Sequence, residues 1–124
     1  MKRLLAPTLI VLLIAAALIG RSAAEEKQPL VTLTGTIVDM HCYVTHGVRD
    51  AGHTACANAC IARGVPAGFL SNDGTLYVLF GEEPFSVKDQ VKDLADVPVR
   101  LTGTPVVRSG AKGIQIKSIE KVKS

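Results

Sequence analysis

All three cysteines and all three histidines of a 124-residue chain lie between His41 and Cys60, in the stretch MHCYVTHGVRDAGHTACANAC. Thiolate and imidazole are donors suited to zinc and to Cu(I), so the first expectation is a metal site. The segment RDAGHTACANACIARGVP has the marks of a short helix: Asp50 or Thr54 near its start, alanines within, Gly64 just past its end and Pro66 as a stop. On such a helix His53, Cys56 and Cys60 stand at i, i+3 and i+7. At about 100° per residue they share an arc of about 60°. Cys42 is expected at the end of the first strand, on one face with Met40 while His41 points away. Brought across to the helix, it completes a Cys3His set of Cys42, His53, Cys56 and Cys60, with Met40, His41 and His46 as accessory donors.

Three readings of the cluster compete. Four ligands at about 2.3 Å in a tetrahedron put sulfurs a little under 4 Å apart, a spacing that helical cysteines at i and i+4 reach. Zinc held this way would staple a small domain, whereas copper would suit a trafficking role. A disulfide between Cys56 and Cys60 is disfavoured, because its Cβ atoms must approach to about 3.8 Å while helical neighbours at this spacing sit about 5–6 Å apart. Cys42 could instead pair with either one. That would give a disulfide-stapled interaction domain without metal and with one thiol left over. The third reading is a thiol redox enzyme, with Cys56 near a helix start and His53 one turn away. CANAC is not the C-x-x-C-H of haem attachment, and an iron–sulfur cluster lacks its fourth thiolate. No paired carboxylates, Ser/His/Asp arrangement or phosphate-cradling glycine loop accompanies the cluster.

The amino terminus sets the compartment. Lys2 and Arg3 precede an apolar run from Leu9 to Ile19, and small residues end at Ala24, which is the order of a secretory signal peptide over residues 1–24. The run is short for a spanning helix, which needs about 20 residues. The expectation is an exported protein, periplasmic or secreted, with no membrane association after cleavage. Exported thiols tend to form disulfides in even numbers, yet here there are three. Losing Lys2, Arg3 and Arg21 leaves 11 basic against 11 acidic residues. The mature chain is then neutral by count, which argues against nucleic acid as a partner.

A polar lead-in at 25–29 precedes a single domain over 30–124. The segment LVTLTGTIVDMHC reads as a first strand bending at Gly35. GFL and TLYVLF flank SNDG as a hairpin, with Asp73 and Gly74 in the turn. Ser86 caps a short helix that aligns Val87, Val91 and Leu94 on one face, while Asp89, Asp93 and Asp96 form its solvated face. VPVRLTGTPVV and GIQIKSIEKV are two further strands around RSGAKG. Phe69, Tyr77, Phe80 and Phe85 belong to the core rather than to a stacking platform. The fold class is mainly β: a small five-stranded barrel with the Cys/His helix inserted between strands 1 and 2 and a short helix between strands 3 and 4. The glycines of both LTGT segments let long strands coil to serve two sides.

The pattern V-x-L-x-G at Val99 to Gly103, followed by I-x-I-x-S-I at Ile114 to Ile119, resembles the closing part of small exported bacterial OB-fold domains. The resemblance covers the barrel strands, about half the chain, and implies an OB-like barrel. In that fold the loops between strands 1 and 2 and between strands 4 and 5 frame the binding face. Here the first carries the cluster and the second carries Arg108 and Lys112, a face on which a protein partner could also dock. The Cys/His insertion departs from that family, so its roles do not transfer. The C-x3-C spacing of Cys56 and Cys60 is similar to that of copper-site proteins of cytochrome oxidase assembly. No proline follows Cys60, so the similarity extends to ligand logic alone.

Overall fold

In a computed structural model the chain is described over residues 28–84 and 86–123. The expected signal peptide, most of the lead-in and Phe85 lie outside the described residues. The protein is mainly β, with five strands: β1 Val31–Asp39, β2 Ala67–Ser71, β3 Leu76–Phe80, β4 Pro98–Arg108 and β5 Ala111–Lys121. Two helices, α1 Met40–His46 and α2 Thr54–Ala62, separate β1 from β2, and α3 Val87–Gln90 follows β3.

The strands pair in the closed order β1-β2-β3-β5-β4, with β1 joining the two ends. β1 does this by changing partner along its length. Its residues 31–36 pair antiparallel with β4, and residues 35–39 pair antiparallel with β2. The change falls at Gly35, where an added Cβ would collide with the carbonyl oxygen of Leu70. β4 solves the same problem at Gly103, beside a register shift between Thr102 and Gly103, where a Cβ would meet the carbonyl of Gln115. β3 closes the ring through a short parallel ladder to β5, Val78 to Phe80 against Gly113 to Gln115. Both LTGT glycines, expected as bends, are therefore also places of close backbone approach.

The turns follow local chemistry. In the β2–β3 hairpin Gly74 has φ 87°, and Asp73 accepts the backbone N–H of Thr75 at 2.8 Å. Ser109 and Gly110, at φ 51° and 82°, form the two-residue link between β4 and β5. Arg108 and Lys112 consequently belong to the strand ends rather than to the turn.

Alternation along the strands turns Ile37, Phe69, Leu101, Ile114 and Ile116 into one interior, each 2 % exposed or less. α2 adds Ala57 and Ile61 to that cluster, and the segment after α3 adds Val91 and Ala95. Val87, Val91 and Leu94 do share an inward face, but α3 is one turn long, because Asp93 takes φ 58° three residues past its end. Phe69 is buried and Tyr77 packs against the core.

Two outcomes test this account. Gly35→Ala forces a Cβ against backbone that cannot move aside, and overpacking of this kind costs about 1–3 kcal/mol. A lowered urea midpoint with an unchanged slope is the expected result. The carboxyl of Asp73 is held below its ordinary value of 3.8, first by the backbone N–H of Thr75. A depressed folded pKa means that its contribution is present above 3.8 and is lost as the pH falls through the lower folded value. Asp73→Asn, which keeps an acceptor for Thr75, should flatten the acid side of the stability-versus-pH curve measured by urea denaturation between pH 2 and 5.

Candidate functional site

β1 stops at Asp39, and Met40–His46 is helix, so Cys42 is the third residue of α1 and not a strand residue. The cause is Asp39. Its Oδ1 accepts the backbone N–H of His41 at 2.8 Å and of Cys42 at 3.2 Å, satisfying two donors of the first helical turn. At its far end, Gly47 at φ 71° returns its N–H to Tyr43 and closes the helix. Met40 N–H also donates to the carbonyl of Pro66 at 3.0 Å, pinning the start of α1 beside the chain that leaves α2.

α2 carries the other ligand candidates. His53 is its N-cap residue rather than a helical residue, and its carbonyl accepts from Ala57 at 2.9 Å. Asp50 closes a small turn ahead of it by accepting the N–H of Gly52 at 2.9 Å. Because Ala57 and Ile61 are buried in the barrel core, the orientation of α2 is set, and Cys60 is left half-buried beside them with Cys56 exposed. All three cysteines are free thiols.

The structure brings Cys42 and Cys60 to the same carboxylate. Loss of hydration pushes the Cys42 thiol above its ordinary pKa, and the charge of Asp39 adds to this, followed by Cys56 and Asp96. Cys60 is raised in the same way, by desolvation first, then by the Asp39 carboxylate and by Cys56. Cys42 and Cys60 thus share an electrostatic neighbourhood with Asp39, which is itself 1 % exposed, and Cys56 acts on both thiols. Among the described residues no three Cys, His, Asp or Glu side chains are arranged about a common ion position.

His53 has a partner that sequence reasoning placed elsewhere. Its Nδ1 lies 3.0 Å from Oδ2 of Asp96, with the two side chains 13 % and 0 % exposed. The expectation that Asp96 belongs to a solvated helical face is therefore overturned. Asp96 lies beyond α3 in the left-handed region at φ 58°, and its N–H donates to the carbonyl of Ile37 at 2.8 Å. A side chain at that position turns inward under α2 instead of outward. Asn58 of α2 fixes the same segment by accepting the N–H of Ala95 at 3.1 Å. Burial raises the carboxyl pKa of Asp96, with His53 opposing and Asp50 and Asp39 adding to the rise. Once ionised, that carboxylate only accepts, so Nδ1 of His53 carries the proton and Nε2 is the nitrogen left for a ligand.

The accessory donors are not brought in. The Met40 thioether lies over Gly68 of β2, in the space a Cβ would fill. His41 and His46 are exposed and meet each other edge to face, with ring centroids 6.3 Å apart. The residues sequence reasoning missed are Asp39 and Asp96. The signal for Asp39 was available: an Asp at the end of a β-branched run is a candidate N-cap for a helix that follows. No local pattern marks Asp96, whose role depends on contact across 43 residues of chain.

No family model matches the chain, and neither a curated protein nor a solved structure matches it. Among the described residues no helix is long and apolar enough to cross a membrane.

Exposure and charge predict an order of thiol reactivity. Cys56 is open to solvent, whereas Cys42 and Cys60 are half-buried and their thiols resist ionisation. Brief alkylation of the reduced, metal-free native protein near neutral pH should label Cys56 first, as read by peptide mass mapping. Faster labelling of Cys42 or Cys60 would contradict the placement.

Proposed function

We propose that this protein is an exported metal-binding module that holds zinc or copper through Cys42, His53, Cys56 and Cys60. The observation that carries the reading is the contact between His53 and Asp96. Metal-binding histidines commonly give their second ring N–H to a carboxylate, which fixes the tautomer and raises the basicity of the free nitrogen. A buried Asp held at positive φ to meet one histidine beside three reduced thiols fits that use. Rotation of the three cysteines about χ1 is what closes the donor set around an ion. Metal binding then displaces the thiol protons that burial and Asp39 retain.

A thiol-enzyme reading built on Cys42 or Cys60 is less well supported: a nucleophilic cysteine needs a depressed pKa, and the causes acting on these two thiols work in the opposite direction. An OB-type barrel is the finer reading of the fold. It is supported by the ring of five strands, the helix after β3 and the location of the cluster in the connection between β1 and β2. In that reading the barrel is scaffold, and the insertion carries the function.

The protein purified without chelator should contain near-stoichiometric zinc or copper by elemental mass spectrometry, with three titratable thiols in denaturant. Cys60→Ser should lose most of the metal, and with zinc the thermal midpoint should fall as well. A metal-free protein with one titratable thiol and a mass two protons below the reduced chain would replace this reading by the disulfide-stapled interaction domain.

A further inference from the structure

The second carboxyl oxygen of Asp39 meets no N–H or O–H donor, and the groups beside the carboxylate are the thiols of Cys42 and Cys60. Oδ1 is used twice in capping α1, but Oδ2 is buried without a hydrogen-bond partner. A buried polar atom is normally paired, and a buried carboxylate left without a partner is costly. The thiols of Cys42 and Cys60 both lie against this group, and the charges that act on them most strongly are Asp39 itself, Cys56 and Asp96. Asp96 adds a second orphan, its Oδ1. No lysine or arginine is among the groups that most perturb Cys42, Cys60 or Asp96; His53 is the one basic side chain there.

We infer that Asp39 Oδ2 takes one of the four ligand places of the bound ion, beside His53 and two of the three thiolates, and that the ion is a divalent, borderline cation of the zinc class rather than Cu(I). The inference rests on the metal reading above and exchanges one of its thiolates for this oxygen. Carboxylate oxygen is an ordinary zinc ligand at about 2.0–2.2 Å, whereas Cu(I) is selected by soft sulfur donors. A doubly charged ion also offsets more of the anionic charge that two thiolates and Asp39 would gather in one place. One residue then does two tasks with its two oxygens: Oδ1 starts the helix that carries Cys42, and Oδ2 holds the ion that Cys42 binds.

The test compares wild-type protein with Asp39→Asn in competition for Zn(II) and, separately, for Cu(I) against chelators of known affinity. Asparagine is as good a helix cap as aspartate, so the variant should fold, as circular dichroism will show. The expected result is zinc affinity reduced at least tenfold, the scale on which supporting groups of metal sites act, with Cu(I) affinity changed less than threefold. Zinc X-ray absorption on the wild type gives the second readout and needs no variant. It should require two light-atom ligands, one imidazole and one carboxylate, beside sulfur. Unchanged zinc affinity in a folded variant, or a spectrum with imidazole as the only light-atom ligand, overturns the role of Asp39 and leaves the metal reading standing. Tighter retention of Cu(I) than of zinc by the wild type overturns the divalent assignment alone. Failure of the wild type to bind either ion overturns the metal reading itself.

Discussion

A strand cannot become a helix without leaving the first helical N–H groups unpaired, and in a core there is no water to take them. At the end of β1 this is solved by one side chain, the buried carboxylate of Asp39. Had the strand run on, Cys42 would stand roughly 10 Å further along it, at about 3.3 Å per residue. The cap instead folds the chain back, so that the cysteine lies beside the barrel end that α2 covers. The thiol neighbourhood, the placement of Met40 over Gly68 and the exposure of His41 all follow from that reversal.

The barrel makes the reversal precise in space. Asp39 is paired with Ala67 in the β1–β2 ladder, so its backbone is held on one side by the strand that follows α2. Ala57 and Ile61 hold α2 on the other side, through a core to which all five strands contribute. Sites built on packed elements keep their geometry better than sites built on free loops. The two glycines at the strand bends serve the same end, since the doubled pairing of β1 depends on backbone approach at Gly35.

Periodicity and turn chemistry were enough to read the strands, the hairpin at Asp73 and Gly74, and a helix bearing Cys56 and Cys60, because each is decided by residues close in sequence. The boundary at Asp39 was misread, although the signal is local. A β-branched run ending in VDMHC looks like continuing strand unless the aspartate is weighed as a cap. Asp96 was misread for another reason: nothing in DLADVP shows that the chain has left the helix, adopted positive φ and joined β1 through Ile37. The roles of both carboxylates come from contacts that only the folded chain makes, and their burial is opposite to what composition suggests for aspartate.

The bond from Asp96 N–H to the carbonyl of Ile37 attaches the histidine's partner to the same strand that carries Asp39 two residues later. Asp96 and Asp39 are therefore both tied to one short length of β1, Ile37 to Asp39, which is paired with β2 and bridged in parallel to Ala95. A segment tied in this way does not swing out as a flap. With the two carboxylates held in this way, the adjustment left to the thiols beside them is rotation of single side chains, which has the tempo of rotamers rather than of loops.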